Sequence, residues 1–292
     1  MKNKISVVTG ANAGLGFETA KDLARQDAEV ILICRSASKG ESAVDVIKKA
    51  TGNDKVTTLQ ADLSSQRSVR AVGEEIIQRW GRVDVLVNNA AAVISEYTTT
   101  EDGIETQFAV NHLAYFLLTH VLMEGLEASE SARVVNLSSG NHRRGIIHFD
   151  DLNLSKDYGV LKAYNQSKLA NVLFTYELHS QLAARNKYSI KVNCVDPGTN
   201  YTDIGVKATN SLHALAWRLR RLISKSPADG AKCQIDLASS PEFKNESGKF
   251  WYLSKPVASS PSSHDERAAS RLWEVSKEMC GIKDYFNPNL TG

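Results

Sequence analysis

The sequence predicts an α/β fold: a single-domain, Rossmann-type doubly wound parallel sheet of about seven strands with helices on both faces. Three observations predict it. Short, mostly apolar runs alternate with longer stretches of helical period along the 292 residues. The first apolar run passes directly into a glycine-rich turn that opens the first helix. No repeat, linker or low-complexity stretch divides the chain, so one domain spans residues 1–292.

The strand-like runs are Ile5–Thr9, Glu29–Cys34, Lys55–Gln60, Val83–Val87, Ala132–Leu137, Ile190–Val195 and Lys249–Leu253. They are short and mostly apolar, as expected where both faces are covered. Segments of helical period lie between them: Gly14–Gln26, Lys39–Ala50, Ser65–Trp80, Glu101–Leu126, Val160–Arg185 and Ala228–Ser239. Ser226-Pro227-Ala-Asp229 supplies an N-cap, a proline at the first helical position and an acid in the first turn. Ser263-His-Asp-Glu266 reads as a capping box for a last helix over about 264–279. The Ser/Pro-rich stretch 255–263 reads as a loop. The βαβ rhythm implies right-handed crossovers.

Bulk properties exclude several classes. Hydrophobic residues make up 42% and charged residues 23%, the balance of an ordinary globule. A net charge of +2 gives no reason to expect nucleic acid. No apolar run reaches membrane-spanning length, and Met1-Lys-Asn-Lys4 leads straight into a strand, without room for a signal peptide. The four scattered cysteines form no C-x-x-C pair, so they read as reduced thiols, neither disulfides nor metal ligands. Cytoplasmic localisation is the resulting expectation.

Two motifs carry chemistry. Thr9-Gly10-Ala-Asn12-Ala-Gly14-Leu15-Gly16 follows the first strand and opens the first helix. Glycines there allow a sharp turn and close backbone approach to a pyrophosphate, and the helix N-terminus offers N–H groups to phosphate. The second motif is Tyr164-Asn-Gln-Ser-Lys168, whose ends share a helix face. Tyrosine titrates near pH 10, and three units of depression require about 4 kcal/mol. One ammonium at about 5 Å supplies roughly 3 kcal/mol at an effective dielectric of about 20. A second cation, such as an oxidised nicotinamide, would close the gap.

Gly10, Gly14 and Gly16, with Asp62, Asn88-Asn89-Ala90, Asn111, Ser139, Tyr164, Lys168 and Pro197-Gly198, resemble in order the short-chain dehydrogenase/reductase superfamily. The stretch Val135–Ser139, a long insert, then Tyr164–Phe174 resembles its retinol dehydrogenase-like branch, which includes relatives of protochlorophyllide reductase and the WW-domain oxidoreductase. The resemblance implies catalytic roles for Asn111, Ser139, Tyr164 and Lys168. It implies cofactor contacts from Gly10, Asn12, Gly14, Leu15 and Gly16, and from Tyr164 and Lys168, the lysine holding the nicotinamide ribose. It also implies that Asp62 and Leu63 flank the adenine and that Asn88 and Ala90 line a ribose. Pro197 and Gly198 would wall the nicotinamide and Thr202 would hydrogen-bond its amide or a phosphate. The chain departs from the pattern at Asn200, where an apolar β-branched residue is usual, and at Asp196, where histidine is frequent.

The second strand ends in Cys34-Arg35-Ser36, without the acid that holds an unphosphorylated ribose. Arg35 would pair with a 2′-phosphate through its planar fork, so NADP(H) is the expected cofactor. Lys39 either adds charge or is simply the exposed start of the next helix. The expected reaction interconverts an aldehyde or ketone, apolar by preference, with its alcohol. Tyr164 exchanges the proton and Ser139, rather than its neighbour Ser138, polarises the oxygen. The alternatives are a non-catalytic NADP-binding regulator and a protochlorophyllide reductase-like reduction of a C=C bond. The substrate side should come from residues 140–160 and 203–226. The latter holds an amphipathic stretch over 211–224 that reads as a lid, a membrane contact or plain core. His112 reads as satisfied or exposed, and His142 and His148 suggest no metal. Extra apolar surface on Glu101–Leu126 (Phe116, Leu117, Val121, Leu122) and Val160–Arg185 (Leu169, Val172, Leu173, Tyr176) suggests a homodimer.

Overall fold

The computed structural model describes residues 1–198 and 226–288; Thr202 and residues 203–225 of the expected substrate segment lie outside the described residues. Seven parallel strands follow the order β3-β2-β1-β4-β5-β6-β7: β1 (Ile5–Thr9), β2 (Glu29–Cys34), β3 (Val56–Gln60), β4 (Val85–Asn88), β5 (Ala132–Leu137), β6 (Ile190–Asp196) and β7 (Lys249–Tyr252). An eighth, β8 (Lys255–Pro256), pairs antiparallel with β7 at the edge. The stretch read as a loop therefore begins with a strand. Two residues are too few to show period-two alternation, and Pro256 tolerates the pairing because it sits on an edge.

Alternate strand residues feed two cores. Val8, Leu32, Val87 and Val135 face α1 (Gly14–Arg25), α2 (Ala37–Thr51) and α8 (Pro227–Ser239). Val7, Ile31, Leu86 and Val134 face α3 (Gln66–Trp80), α5 (Ala114–Val121) and α7 (Val160–Ala184). Strand order reverses between β1 and β4, which opens a crevice at their carboxyl ends.

Two helix starts differ from expectation. The helix expected from Glu101 begins at Thr106, because Gly103 adopts φ +71° and the Glu105 carboxylate caps the Gln107 and Phe108 N–H groups. It then runs as α4 (Thr106–Phe108), a π turn (Ala109–Leu113), α5 and α6 (Met123–Glu127). The last helix, α9 (Glu266–Met279), is capped by Asp265, which accepts from the Ala268 N–H, and not by Ser263. Ser263 is instead taken up in a 3-10 turn, its hydroxyl on the Ser260 carbonyl. Ser226 does cap α8, with Pro227 at its first position.

Part of the apolar surface that suggested a homodimer, around Phe116, is covered by the chain's own C-terminal residues. Trp273 of α9 packs 5.2 Å from Phe116 and 4.3 Å from Tyr285, ring centre to ring centre. The Tyr285 hydroxyl donates to the Phe116 carbonyl at 2.9 Å. Sequence periodicity cannot distinguish burial by a partner from burial by a distant part of the same chain. No helix among the described residues is long and apolar enough to cross a membrane.

Candidate active site

The glycine turn backs against the end of β4. Gly10 and Gly14 take φ +65° and +60°, a region that side chains rarely adopt. A Cβ on Gly16 would lie 2.5 Å from Asn89 Nδ2 and 2.7 Å from the Gly10 carbonyl, and one on Gly10 would lie 3.0 Å from the Ala90 Cα. Thr9 fixes this contact, its hydroxyl accepting from the N–H groups of Asn89 and Ala90 at 2.8 and 2.9 Å. No side chain caps α1 at Ala13. Half-buried Asn12 lies on the turn, while Leu15 is buried in the core and has only its peptide for a ligand. A glycine turn at a helix N-terminus, with no room for a Cβ at Gly10 or Gly16, fits the pyrophosphate of a dinucleotide.

Arg35 is exposed at the carboxyl end of β2, beside this turn. Among the described residues its guanidinium makes no ion pair or hydrogen bond, and only its carbonyl is engaged, by Gln60. Lys39 is likewise exposed, in the first turn of α2. Asp62, also exposed, accepts at one oxygen from the N–H and hydroxyl of Ser64, and Leu63 leans against the core. Asn88 is fully buried, donating to Asn136 at 2.9 Å and Thr119 at 3.2 Å, so it too has only its peptide for the crevice.

Lys168 lies one turn beyond Tyr164 on α7. Its Nζ is 5.7 Å from the Tyr164 ring centre and donates to the Leu137 carbonyl at 3.2 Å. It is 1% exposed, and burial pushes its pKa down to about 8, against the opposing pull of Cys194 and Asp196. Ser138 is buried and donates its hydroxyl to the Lys168 carbonyl at 2.7 Å. Ser139 is half-buried, and its oxygen accepts from the Asn141 N–H at 3.3 Å. An accepting hydroxyl keeps its proton to donate. This physical difference separates two adjacent serines.

Asn111 stands in the π turn, a local distortion often met at functional sites. Its side chain is saturated: it accepts from the Ala92 N–H at 2.7 Å and donates to the Ala92 carbonyl and Ser167. Its own carbonyl accepts from Asn171, which also donates to the Leu137 carbonyl that Lys168 holds. His112 is buried and satisfied, bonded to Asn171 and Ser276, with its pKa lowered to about 4 by burial. Sequence reasoning missed Tyr115, whose buried ring lies 5.8 Å from Lys168 Nζ and whose hydroxyl donates to the Ala90 carbonyl. Its position four residues after Asn111 was the available signal. Pro197 and Gly198 follow β6, Gly198 at φ +78° with its N–H on Asp196.

The turn, Ser139, Tyr164, Lys168 and Pro197-Gly198 thus come from the carboxyl side of neighbouring strands or the helix beside them. A family model described as short chain dehydrogenase matches residues 4–212. Retinol dehydrogenase 12 of Mus musculus is 41% identical over 96% of this chain and 87% of its own length. Retinol dehydrogenase 13 of Homo sapiens is 40% identical over 96% and 85%. A solved structure, a putative uncharacterized protein from Mycobacterium Paratuberculosis, superposes with a TM-score of 0.77 at 32% identity, covering 96% of this chain and 94% of that one. The chain belongs to the short-chain dehydrogenase family of oxidoreductases, within its retinol dehydrogenase-like branch.

Proposed function

We propose that this protein uses NADP(H) to interconvert an apolar aldehyde or ketone with its alcohol. The observation that carries the reading is a buried ammonium 5.7 Å from the Tyr164 ring, at a site where Ser139 keeps a hydroxyl proton to donate. Bound on the glycine turn, the dinucleotide supplies or accepts the hydride. Tyr164 gives its phenolic proton to the carbonyl oxygen as charge develops there, and Ser139 donates a second hydrogen bond to the same oxygen. Lys168 makes the phenol more acidic, and Tyr115 walls the pocket that keeps Lys168 dry. Asn111 holds the loop after β4 and joins Lys168 through Asn171 and the Leu137 carbonyl, the path proposed for proton return. Oxidation runs the same groups in reverse, with the tyrosinate as base.

Preference for the phosphorylated cofactor rests on exposed Arg35, which lacks an internal partner among the described residues, at a strand end without an acid. Four free, buried cysteines support a reducing, cytoplasmic setting. Initial rates with NADPH and NADH over aldehydes, ketones, steroids and retinoids test the reading. Retinoids head the panel because of the names the relatives carry. Tyr164→Phe should remove nearly all turnover on the best substrate, and Arg35→Ala should raise KM for NADPH while leaving NADH unaffected. Full activity in Tyr164→Phe ends the assignment, and equal efficiency of both cofactors in the wild type ends the role of Arg35.

A further inference from the structure

The peptide unit joining Ser139 to Gly140 is gripped from both sides by side chains that the reaction itself does not use. On one side, His142 is fully buried, with its ring 4.5 Å from that of Phe250 on β7. The Ser260 N–H donates to its Nε2 at 3.0 Å, so the imidazole is neutral and its proton sits on Nδ1. Nδ1 then donates to the Ser139 carbonyl at 2.7 Å. On the other side, the Asp196 carboxylate at the end of β6 faces the Gly140 N–H, close enough that a Cβ on Gly140 would lie 3.2 Å from Oδ2. Asp196 Oδ1 also accepts the Gly198 N–H at 2.9 Å. Bonded at its C=O by His142 and faced at Gly140 by the Asp196 carboxylate, this peptide has little room to turn, which sets the direction of the Ser139 Cα–Cβ bond.

We propose that Asp196 and His142 are positioning residues that lock the Ser139–Gly140 peptide, aim the Ser139 hydroxyl at the substrate oxygen and tie it to the Pro197-Gly198 wall. This rests on the reading of Ser139 given above. Asn at position 196 would keep the shape but turn an NH2 toward one of two N–H groups, so one hold is lost. Asp196 also faces Lys168 and Arg143, so a purely electrostatic role must be separated from a positional one.

The test is a cycle of Ser139→Ala, Asp196→Asn and the double variant, with kcat, NADPH affinity by fluorescence and amide exchange at residues 139–141 and 198 in the ligand-free protein. Asp196→Asn is expected to lower kcat about tenfold or more with NADPH affinity retained, and to speed exchange at Gly140 or Gly198. On the Ser139→Ala background its effect on kcat should shrink to within about twofold, because the hydroxyl to be aimed is gone. His142→Ala should act like Asp196→Asn. His142→Asn, whose amide can replace Nδ1–H, should restore most of the turnover. An equal loss from Asp196→Asn with and without Ser139 would assign its effect to Lys168 or to the fold, and would overturn the proposal. Exchange unchanged at both Gly140 and Gly198 would overturn it independently. Full activity in Ser139→Ala alone would instead remove the reading of Ser139 on which it rests.

Discussion

Replacing Lys168 with methionine tests the charge that the site is built around. The ammonium lies 5.7 Å from the Tyr164 ring centre. At an effective dielectric of about 20 that separation is worth about 3 kcal/mol, or about two pK units on the phenol. Lys168→Met should therefore shift the midpoint of the pH–kcat/KM profile for alcohol oxidation upward by about two units. Near neutral pH the rate should fall about a hundredfold, and raising the pH should recover much of it. Folding gives an independent readout. Because the Lys168 pKa falls from 10.5 to about 8 on burial, the unfolded chain holds more protons between those values. Wild-type stability should then rise with pH from about 8 to about 10.5, by about 3 kcal/mol. The variant should lack this rise and be no less stable at neutral pH. A variant that keeps the wild-type midpoint, or whose lost activity does not return at high pH, refutes the electrostatic argument.

Burial lowers the His112 pKa from 6.5 to about 4, so acid favours the unfolded chain, which binds the proton first. Its contribution of about 3 kcal/mol should be intact above about pH 6.5 and lost toward about pH 4. Urea titrations over that range should show a shallower acid loss in His112→Gln. Gly16→Ala puts a methyl 2.5 Å from Asn89 Nδ2. It should weaken NADPH binding at least tenfold, read by fluorescence titration, or cost about 1–3 kcal/mol if the turn yields instead. Trp273→Ala, in the ring cluster with Phe116 and Tyr285, should cost about 3–5 kcal/mol in denaturant unfolding. It should also promote concentration-dependent self-association in sedimentation, by uncovering the Phe116 and Phe174 side of α5 and α7; a variant that associates no more than the wild type would count against that part.

The alternation of strands and helices, the glycine turn and the Tyr164–Lys168 pair were legible in residue order, because each depends on periodicity or on neighbours within a few residues. Ser226 as a cap and the parallel alternation were legible for the same reason. Tertiary structure alone decided whatever depends on distant segments meeting. Ser138 and Ser139 look alike until the Lys168 carbonyl claims one hydroxyl and the Asn141 N–H leaves the other its proton. Asp196 reads as an oddity until β5 and β6 bring its carboxylate beside Gly140. What covers Phe116 on α5 and Phe174 on α7 is invisible until Trp273 and Tyr285, more than a hundred residues beyond α5, fold back against them. Local order follows from residue type and spacing, whereas burial and hydrogen-bond partners are set by contacts that no local pattern encodes.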